Sequence, residues 1–253
     1  MSKSTLEERI SDAHYRHAEE HERSSKRQMR ALVPASPRCR ILDVGCGTGL
    51  NAAQLAELGH TVVGFDLSPV AIAKFRDKGL EGHVVDIESG ALPFDDDSFD
   101  MIYASEVIEH SVDTADFLAK LRRVLKPGGL LLLSTPNSAF WPYRILGCLG
   151  RTATEYQHPG HVRFFSRRSL REAIEAAGFE IDRFSARHMY LILGRRIGDP
   201  LTSLLNACGL EKEARFATGD HFWQLSRFAQ AASSFWADTF IVVARRPPLR
   251  PQT

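Results

Sequence analysis

The chain has 253 residues, 43% hydrophobic and 25% charged, and its 32 basic and 31 acidic side chains leave a formal net charge of +1. That is the size and composition of one globular α/β domain, and the near-balance of charge gives no general attraction to nucleic acid or to a membrane surface. No apolar run nears the roughly 18–20 residues needed to span a bilayer, and Met1-Ser2-Lys3-Ser4-Thr5 has no apolar core behind it of the secretory kind. Cys39, Cys46, Cys148 and Cys208 form neither a C-x-x-C pair nor a metal-ligand spacing, so a cytoplasmic protein with reduced thiols and no metal site is expected.

In chain order, Thr5 to Leu32 reads as a charged helix with a thin apolar stripe through Leu6, Ile10, Ala13 and His17. Such a helix buries little alone. Pro34 and Pro37 separate this arm, residues 1–37, from a domain expected over 38–247. Ile41-Leu42-Asp43-Val44 is an apolar strand running into Gly45-Cys46-Gly47-Thr48-Gly49, and a helix over Leu50 to Leu58 follows, with Gly59 able to end it in a left-handed cap. Thr61-Val62-Val63-Gly64-Phe65 is a second strand, tipped by Asp66. Ser68 caps the next helix with Pro69 in its first turn. Asp95-Asp96-Asp97 reads as a solvated turn before a strand entered at Phe99-Asp100. Asp113 opens a helix whose Phe117, Leu118, Leu121, Val124 and Leu125 keep a helical period, and Pro127-Gly128-Gly129 is expected to stop it. Leu130 to Leu133 is a continuous apolar run, as in a strand buried on both faces. Ser166 caps a helix carrying Leu170, Ile174 and Ala177, closed by Gly178; Phe179 to Phe184 and Phe240 to Ala244 read as the last two strands.

This alternation predicts a doubly wound, Rossmann-like α/β sheet. Two segments interrupt it, Ser138 to His161 and Ala186 to about Ser234, and connections that long are uncommon unless they serve a purpose. Both are expected to be helical cap elements on the substrate side. The tail, 248–253, is expected to be disordered. Lys26-Arg27, Arg167-Arg168 and Arg195-Arg196 are scattered pairs and make no aromatic-interleaved basic face, so no nucleic-acid partner is expected.

The glycine elbow points to a ligand. An acid at the tip of the second strand, about 20 residues after the first glycine, suits ribose hydroxyls. A dinucleotide fingerprint reads G-x-G-x-x-G, with a helix start aimed at pyrophosphate. Here the third glycine comes one residue early and Leu50 fills its place, which favours a nucleoside without a pyrophosphate.

From about Arg40 to Phe184 the chain resembles the class I S-adenosylmethionine-dependent methyltransferases. Asp43-Val44-Gly45-Cys46-Gly47-Thr48-Gly49 matches their first motif and Asp66-Leu67-Ser68 their ribose-binding acid. Asp86-Ile87 matches the adenine-side position. Leu92-Pro93-Phe94 with Phe99-Asp100, and Leu125-Lys126-Pro127-Gly128-Gly129, follow in the family's order. The resemblance implies a mostly parallel sheet with an antiparallel last strand and S-adenosylmethionine as cofactor. It places Gly45 and Gly47 at the methionine end, Asp43 near the ammonium and Asp66 on the ribose. Asp86 falls by the adenine amino group, with Leu67 and Ile87 against the ring faces. It also places the arm over the cofactor pocket, against the plainer reading of a solvated arm. Ser105-Glu106-Val107-Ile108-Glu109-His110 falls where the family presents groups to the methyl donor. The N/D-P-P-Y/F motif of enzymes that methylate adenine or glutamine amides is missing, which disfavours such a target.

A hydroxyl acceptor benefits from a base, and histidine suits that role. His110 is the first candidate and His161, in Tyr156-Gln157-His158-Pro159-Gly160-His161, the second; packing or a plain loop role is the alternative for each. The closest branch contains the ubiquinone-biosynthesis O-methyltransferases. Phe140, Trp141, Tyr143, Ile145, Leu146 and Leu149, with Arg144 and Arg151, suit a membrane interface or lipophilic entrance over 140–149, or equally an apolar lid on the core. The expectation is methyl transfer to oxygen on a small lipophilic or aromatic acceptor. Small-molecule nitrogen methylation, sugar methylation and a catalytically silent S-adenosylmethionine-binding subunit stay open, and the oligomeric state is not fixed.

Overall fold

A computed structural model describes residues 28–155, 157, 160–186, 189–192, 214–217, 222–225 and 238–248. The arm therefore lies outside the described residues up to Arg27, as do Cys208, His158 and the end of the tail; Gln28 to Arg30 is helical.

The strand–helix alternation forms as its signals predict. Strand β1 (Arg40–Val44) enters the glycine elbow, and helix α1 (Leu50–Glu57) follows at once, with Gly59 at φ 91° just past its end. Strand β2 (Thr61–Asp66) leads to α2 (Pro69–Arg76), whose cap Ser68 accepts from the Ala71 N–H. Short β3 (Glu81–Val84) and β4 (Phe99–Ser105) come next. Asp113 caps α3 (Thr114–Val124) by accepting from Ala115 and Asp116 N–H groups. That helix ends at Val124, earlier than Pro127-Gly128-Gly129 suggested. The ring of Pro127 drives Lys126 out of helical geometry, and the chain is already in β5 (Leu125–Pro136), with a register break against β4 in this stretch. Helix α4 (Trp141–Cys148) and α5 (Arg167–Ala176) follow, the latter closed at its start by a Ser166/Ser169 capping box.

Strand β6 (Glu180–Ala186) precedes three short strands, β7 (Met189–Ile192), β8 (Ala214–Ala217) and β9 (Phe222–Leu225), and β10 (Thr239–Arg245) completes the chain's order. The main sheet has seven strands in the order β3-β2-β1-β4-β5-β10-β6; β10 is antiparallel to both its neighbours, and the other pairs are parallel. Strands β7, β9 and β8 form a separate antiparallel sheet. Over 138–161 the described residues include helix α4, and over 186–234 the described pieces are the strands β7, β8 and β9 where helix was expected, the rest of that segment lying outside the described residues. A four-residue apolar run such as Met189-Tyr190-Leu191-Ile192 carries no period long enough to tell strand from helix.

Helices cover both faces. On one, Leu42, Ile102, Leu131 and Val242 pack with Phe117, Leu121, Leu170 and Ile174 of α3 and α5. On the other, Ile41, Tyr103, Leu132 and Ile241 pack with Ala52 and Leu55 of α1, Ile72 and Phe75 of α2, and Met29. Among the described residues no helix is long and apolar enough to cross a membrane.

Candidate functional site

The elbow between β1 and α1 needs backbone that only glycine adopts easily. Gly45 lies at φ 62°, and a Cβ there would stand 2.7 Å from Cγ2 of Val107. Gly47, at φ 55°, turns its N–H toward β2 and donates to Oδ2 of Asp66 at 3.0 Å. Oδ1 of the same buried carboxylate accepts from the Ser68 N–H at 2.9 Å. Asp66 therefore braces the elbow.

The other cofactor candidates gather along the same sheet edge. Asp43 is buried near the end of β1, and Leu67, just past β2, is half-buried. Asp86 lies two residues past β3, half-buried, with Oδ1 accepting from the Glu88 N–H at 2.9 Å. Ile87 packs against the core while its carbonyl accepts from Lys120 Nζ. Ser105, the last residue of β4, is buried with its Oγ 3.2 Å from Ser134 Oγ. All of Asp43, Gly45, Gly47, Asp66, Leu67, Asp86, Ile87 and Ser105 thus sit at the carboxyl ends of β1 to β4, where open α/β sheets bind ligands. Glu106 follows at φ 57°, a left-handed backbone that a non-glycine residue holds only when neighbours impose it; its N–H donates to the Ser134 carbonyl at 3.0 Å. Nothing in the sequence marked that strain, since glutamate is not a turn residue.

Beyond β4, a single 3-10 turn (Ile108–His110) presents His110, whose Nδ1 lies 2.9 Å from the Gly160 carbonyl oxygen. A carbonyl only accepts, so Nδ1 carries the hydrogen and Nε2 is the basic atom. The ring of His161 meets that of His110 edge to face, with centroids 4.8 Å apart. His161 points Nδ1 at Gln157 Oε1, 3.2 Å away, and Nε2 at Oε1 of Glu109, 3.9 Å away. Glu109 is 1% exposed. Its Oε2 accepts from Thr135 Oγ1 at 2.9 Å, and its backbone carbonyl accepts from the Val162 and Arg163 N–H groups, also at 2.9 Å. It ties the turn, β5 and the loop after 160 together, a role its adjacency to His110 alone could not reveal. Glu109, His110 and His161 offer ligand atoms within 4.8 Å of one another, a spacing that could hold a cation where the cysteine pattern suggested no metal. The same groups are suited to moving a proton.

The first cap lies next to them. Phe140 is buried, with Trp141 and Tyr143 against its edge at 6.2 and 5.9 Å between centroids. Burial pushes the Tyr143 phenol up; a hydrogen bond to Gln157 pulls it back, and Asp238 adds to the rise. Gln157 thus touches both the cap and His161. Ile145 is 51% exposed and Leu149, just past α4, 71%, so this stretch carries an open apolar surface.

The chain matches the model of a methyltransferase domain over residues 4–183. It is similar to a probable S-adenosylmethionine-dependent methyltransferase of Mycolicibacterium smegmatis, 37% identical over 145 residues that make up 56% of this chain and 52% of that protein. It is also similar to the ubiquinone biosynthesis O-methyltransferase of Dinoroseobacter shibae, 42% identical over 102 residues, 39% of this chain and 41% of that one. In each case the matched stretch spans about half or less of the relative's length. A solved S-adenosylmethionine-dependent methyltransferase from Mesorhizobium loti shares the fold, with a TM-score of 0.59 at 23% identity, covering 87% of this chain and 96% of that one. With the domain match running from residue 4 into β6 and the geometry of the sheet edge agreeing with it, the chain belongs to the class I S-adenosylmethionine-dependent methyltransferases.

Proposed function

We propose that the chain methylates a hydroxyl of a small, lipophilic or aromatic acceptor. The observation that carries this reading is the meeting of His110 and His161, edge to face with the buried Glu109 carboxylate behind them, at the edge where the cofactor candidates converge. The residues of that edge fit S-adenosylmethionine. The cradle at Gly45 is one a Cβ would close against Val107, and the Asp66 carboxylate lies beside it, bonded to the elbow. When bound, this cofactor supplies a methyl group already activated on a positive sulfonium.

The chain's own part is positioning and proton removal. Gly45 and Gly47 would admit the methionine end, Asp43 would hold its ammonium, and Asp66 would accept from the ribose hydroxyls. Asp86 would accept from the adenine amino group, with Leu67, Ile87 and Ser105 completing the residues that would hold the cofactor. Holding donor and acceptor at roughly 3–3.5 Å in a water-poor pocket supplies much of the rate. His110 Nε2 would take the proton of the acceptor hydroxyl. Glu109, through His161, offsets the positive charge that then sits on the imidazole pair. Oxygen as the target is supported by the name of the ubiquinone biosynthesis relative. A lipophilic acceptor, and contact of 140–149 with a membrane surface, are supported by the exposed Ile145 and Leu149 flanked by Arg144 and Arg151.

The test is incubation of the full chain with S-adenosylmethionine and a panel of phenols, catechols, amines and sugars, read by product mass. Methylated phenols or catechols are expected. Products confined to amines or sugars, or tight cofactor binding with no transfer to any acceptor, would overturn the proposal.

A further inference from the structure

On the face of the sheet that α1 covers, an apolar layer gives way to a polar one. Ile41, Tyr103, Leu132 and Ile241 pack together there. Side chains alternate along a strand, so Asp43, Ser105, Ser134 and Thr239, each two residues nearer the carboxyl edge of the sheet, share that face. All four are buried. Leu55 of α1 belongs to the apolar layer, and Asn51, one turn earlier on the same helical face, stands at the level of the polar row.

Asn51 is 4% exposed, yet neither its Oδ1 nor its Nδ2 has a hydrogen-bond partner. A buried amide with nothing to bond is destabilising, and native structures keep few of them without a reason. It also sits in the first turn of a helix whose cap residue, Gly49, offers no side-chain bond, so the helix start favours a negative group. A carboxamide brings one donor and one acceptor together. That pairing matches a zwitterion: Nδ2 can donate to a carboxylate, and Oδ1 can accept from an ammonium that Asp43 also faces.

We propose that Asn51 recognises the amino-acid end of the methyl donor. This rests on the donor site assigned above and adds to it a residue that neither the glycine motif nor the acids at the strand ends pointed to. The amide is left unsatisfied in the free protein and satisfied on binding.

The test is calorimetry of the full chain with two probes, S-adenosylhomocysteine and 5′-methylthioadenosine, which lacks the amino-acid end. Asn51→Leu, close in size but without polar atoms, is expected to weaken S-adenosylhomocysteine by roughly 10- to 100-fold, the range for lost bonds to charged groups. It should leave methylthioadenosine within about twofold and raise the melting temperature of the free protein, since the unsatisfied amide is gone. Unchanged affinity for S-adenosylhomocysteine would overturn the proposal, as would an equal loss for both probes, which would mean general damage to the pocket. Failure of the wild type to bind either probe is a different result: it would remove the donor site itself, and this proposal with it.

Discussion

Asp66 is asked to do two jobs, and Asp66→Asn separates them. In the free protein its Oδ2 accepts from the Gly47 N–H at 3.0 Å and its Oδ1 from the Ser68 N–H at 2.9 Å. An asparagine of the same shape keeps one of these bonds and turns an NH2 toward the other N–H, so one charge-assisted bond is replaced by opposed donors. Hydrogen bonds to charged groups contribute about 1.5–3 kcal/mol, which sets the expected loss of folding stability at about 2–3 kcal/mol. In a chain of this size that lowers the melting temperature by about 4–12 °C. The ribose hydroxyls lose a charged acceptor as well. The same range per bond puts the loss of affinity for S-adenosylhomocysteine at roughly 10- to 100-fold.

Thermal denaturation without ligand and calorimetry with S-adenosylhomocysteine read the two effects independently. A fall in melting temperature with affinity intact would make Asp66 a brace for the elbow and nothing more. Weaker binding with unaltered melting would mean that the two backbone bonds carry no weight. If neither quantity moves, the assignment of the donor site to this elbow is refuted.

His110→Gln should lower turnover by about 10²- to 10⁴-fold while S-adenosylhomocysteine binds within about twofold of the wild type; full activity would remove His110 as the base. Gly45→Ala forces a side chain into φ 62° and sets its Cβ 2.7 Å from Val107, a loss of about 1–3 kcal/mol in chemical denaturation. Adding Val107→Ala should restore only the part due to contact, and full recovery would show that the backbone angle costs nothing. Burial raises the Asp100 carboxyl, but the Arg40 backbone N–H and Lys126 outweigh it and hold the group below its ordinary value. Its stabilising effect is therefore complete above about pH 4 and lost as pH falls through the lowered value, so Asp100→Asn should flatten the acid limb of a stability–pH curve; identical acid limbs would contradict this. Replacing Ile145 and Leu149 by glutamate should abolish sedimentation with anionic lipid vesicles and leave S-adenosylhomocysteine binding unchanged, and a wild-type chain that ignores vesicles would end the membrane reading.

The sheet edge that carries the cofactor candidates was legible because its signals are local. An apolar run, a glycine elbow and an acid at the next strand's tip lie close together in sequence, and a parallel sheet sets their tips on one edge. Asp43, Asp66 and Ser105 needed no knowledge of distant contacts to be placed there. The cluster of Glu109, His110 and His161 is built from long-range contacts instead. His110 and Gly160 are separated by 50 positions and Glu109 and Thr135 by 26, and the bonds that Glu109 accepts from Val162 and Arg163 cross wider gaps still. Each histidine could be nominated alone, but their meeting could not, and Glu109, though part of the stretch singled out after β4, had nothing to mark the bonds it makes. The left-handed backbone of Glu106 was hidden for a related reason: it is imposed by the bond from its N–H to β5, not by its own preference. The strands of the second cap were missed because runs of four residues are too short to show a period.

Why the caps and the chemistry share one edge follows from strand direction. Strand β5 ends at Pro136 on the carboxyl edge of the sheet, so the stretch carrying α4 starts there, and a bridge between Asn137 and Phe165 returns it to the same place. Strand β10 lies antiparallel between β5 and β6, with Thr239 opposite Pro136 and Phe240 opposite Ala186. The connection from 187 to 238 must therefore leave and rejoin the sheet at that edge too. Lengthening that one turn adds chain without interrupting β1 to β4 or the elbow. The candidate donor residues thus belong to β1 to β4 and the elbow, while both long insertions start and end on the same edge without interrupting those strands. A chain can therefore keep the family's cofactor motif whatever the sequence of its insertions.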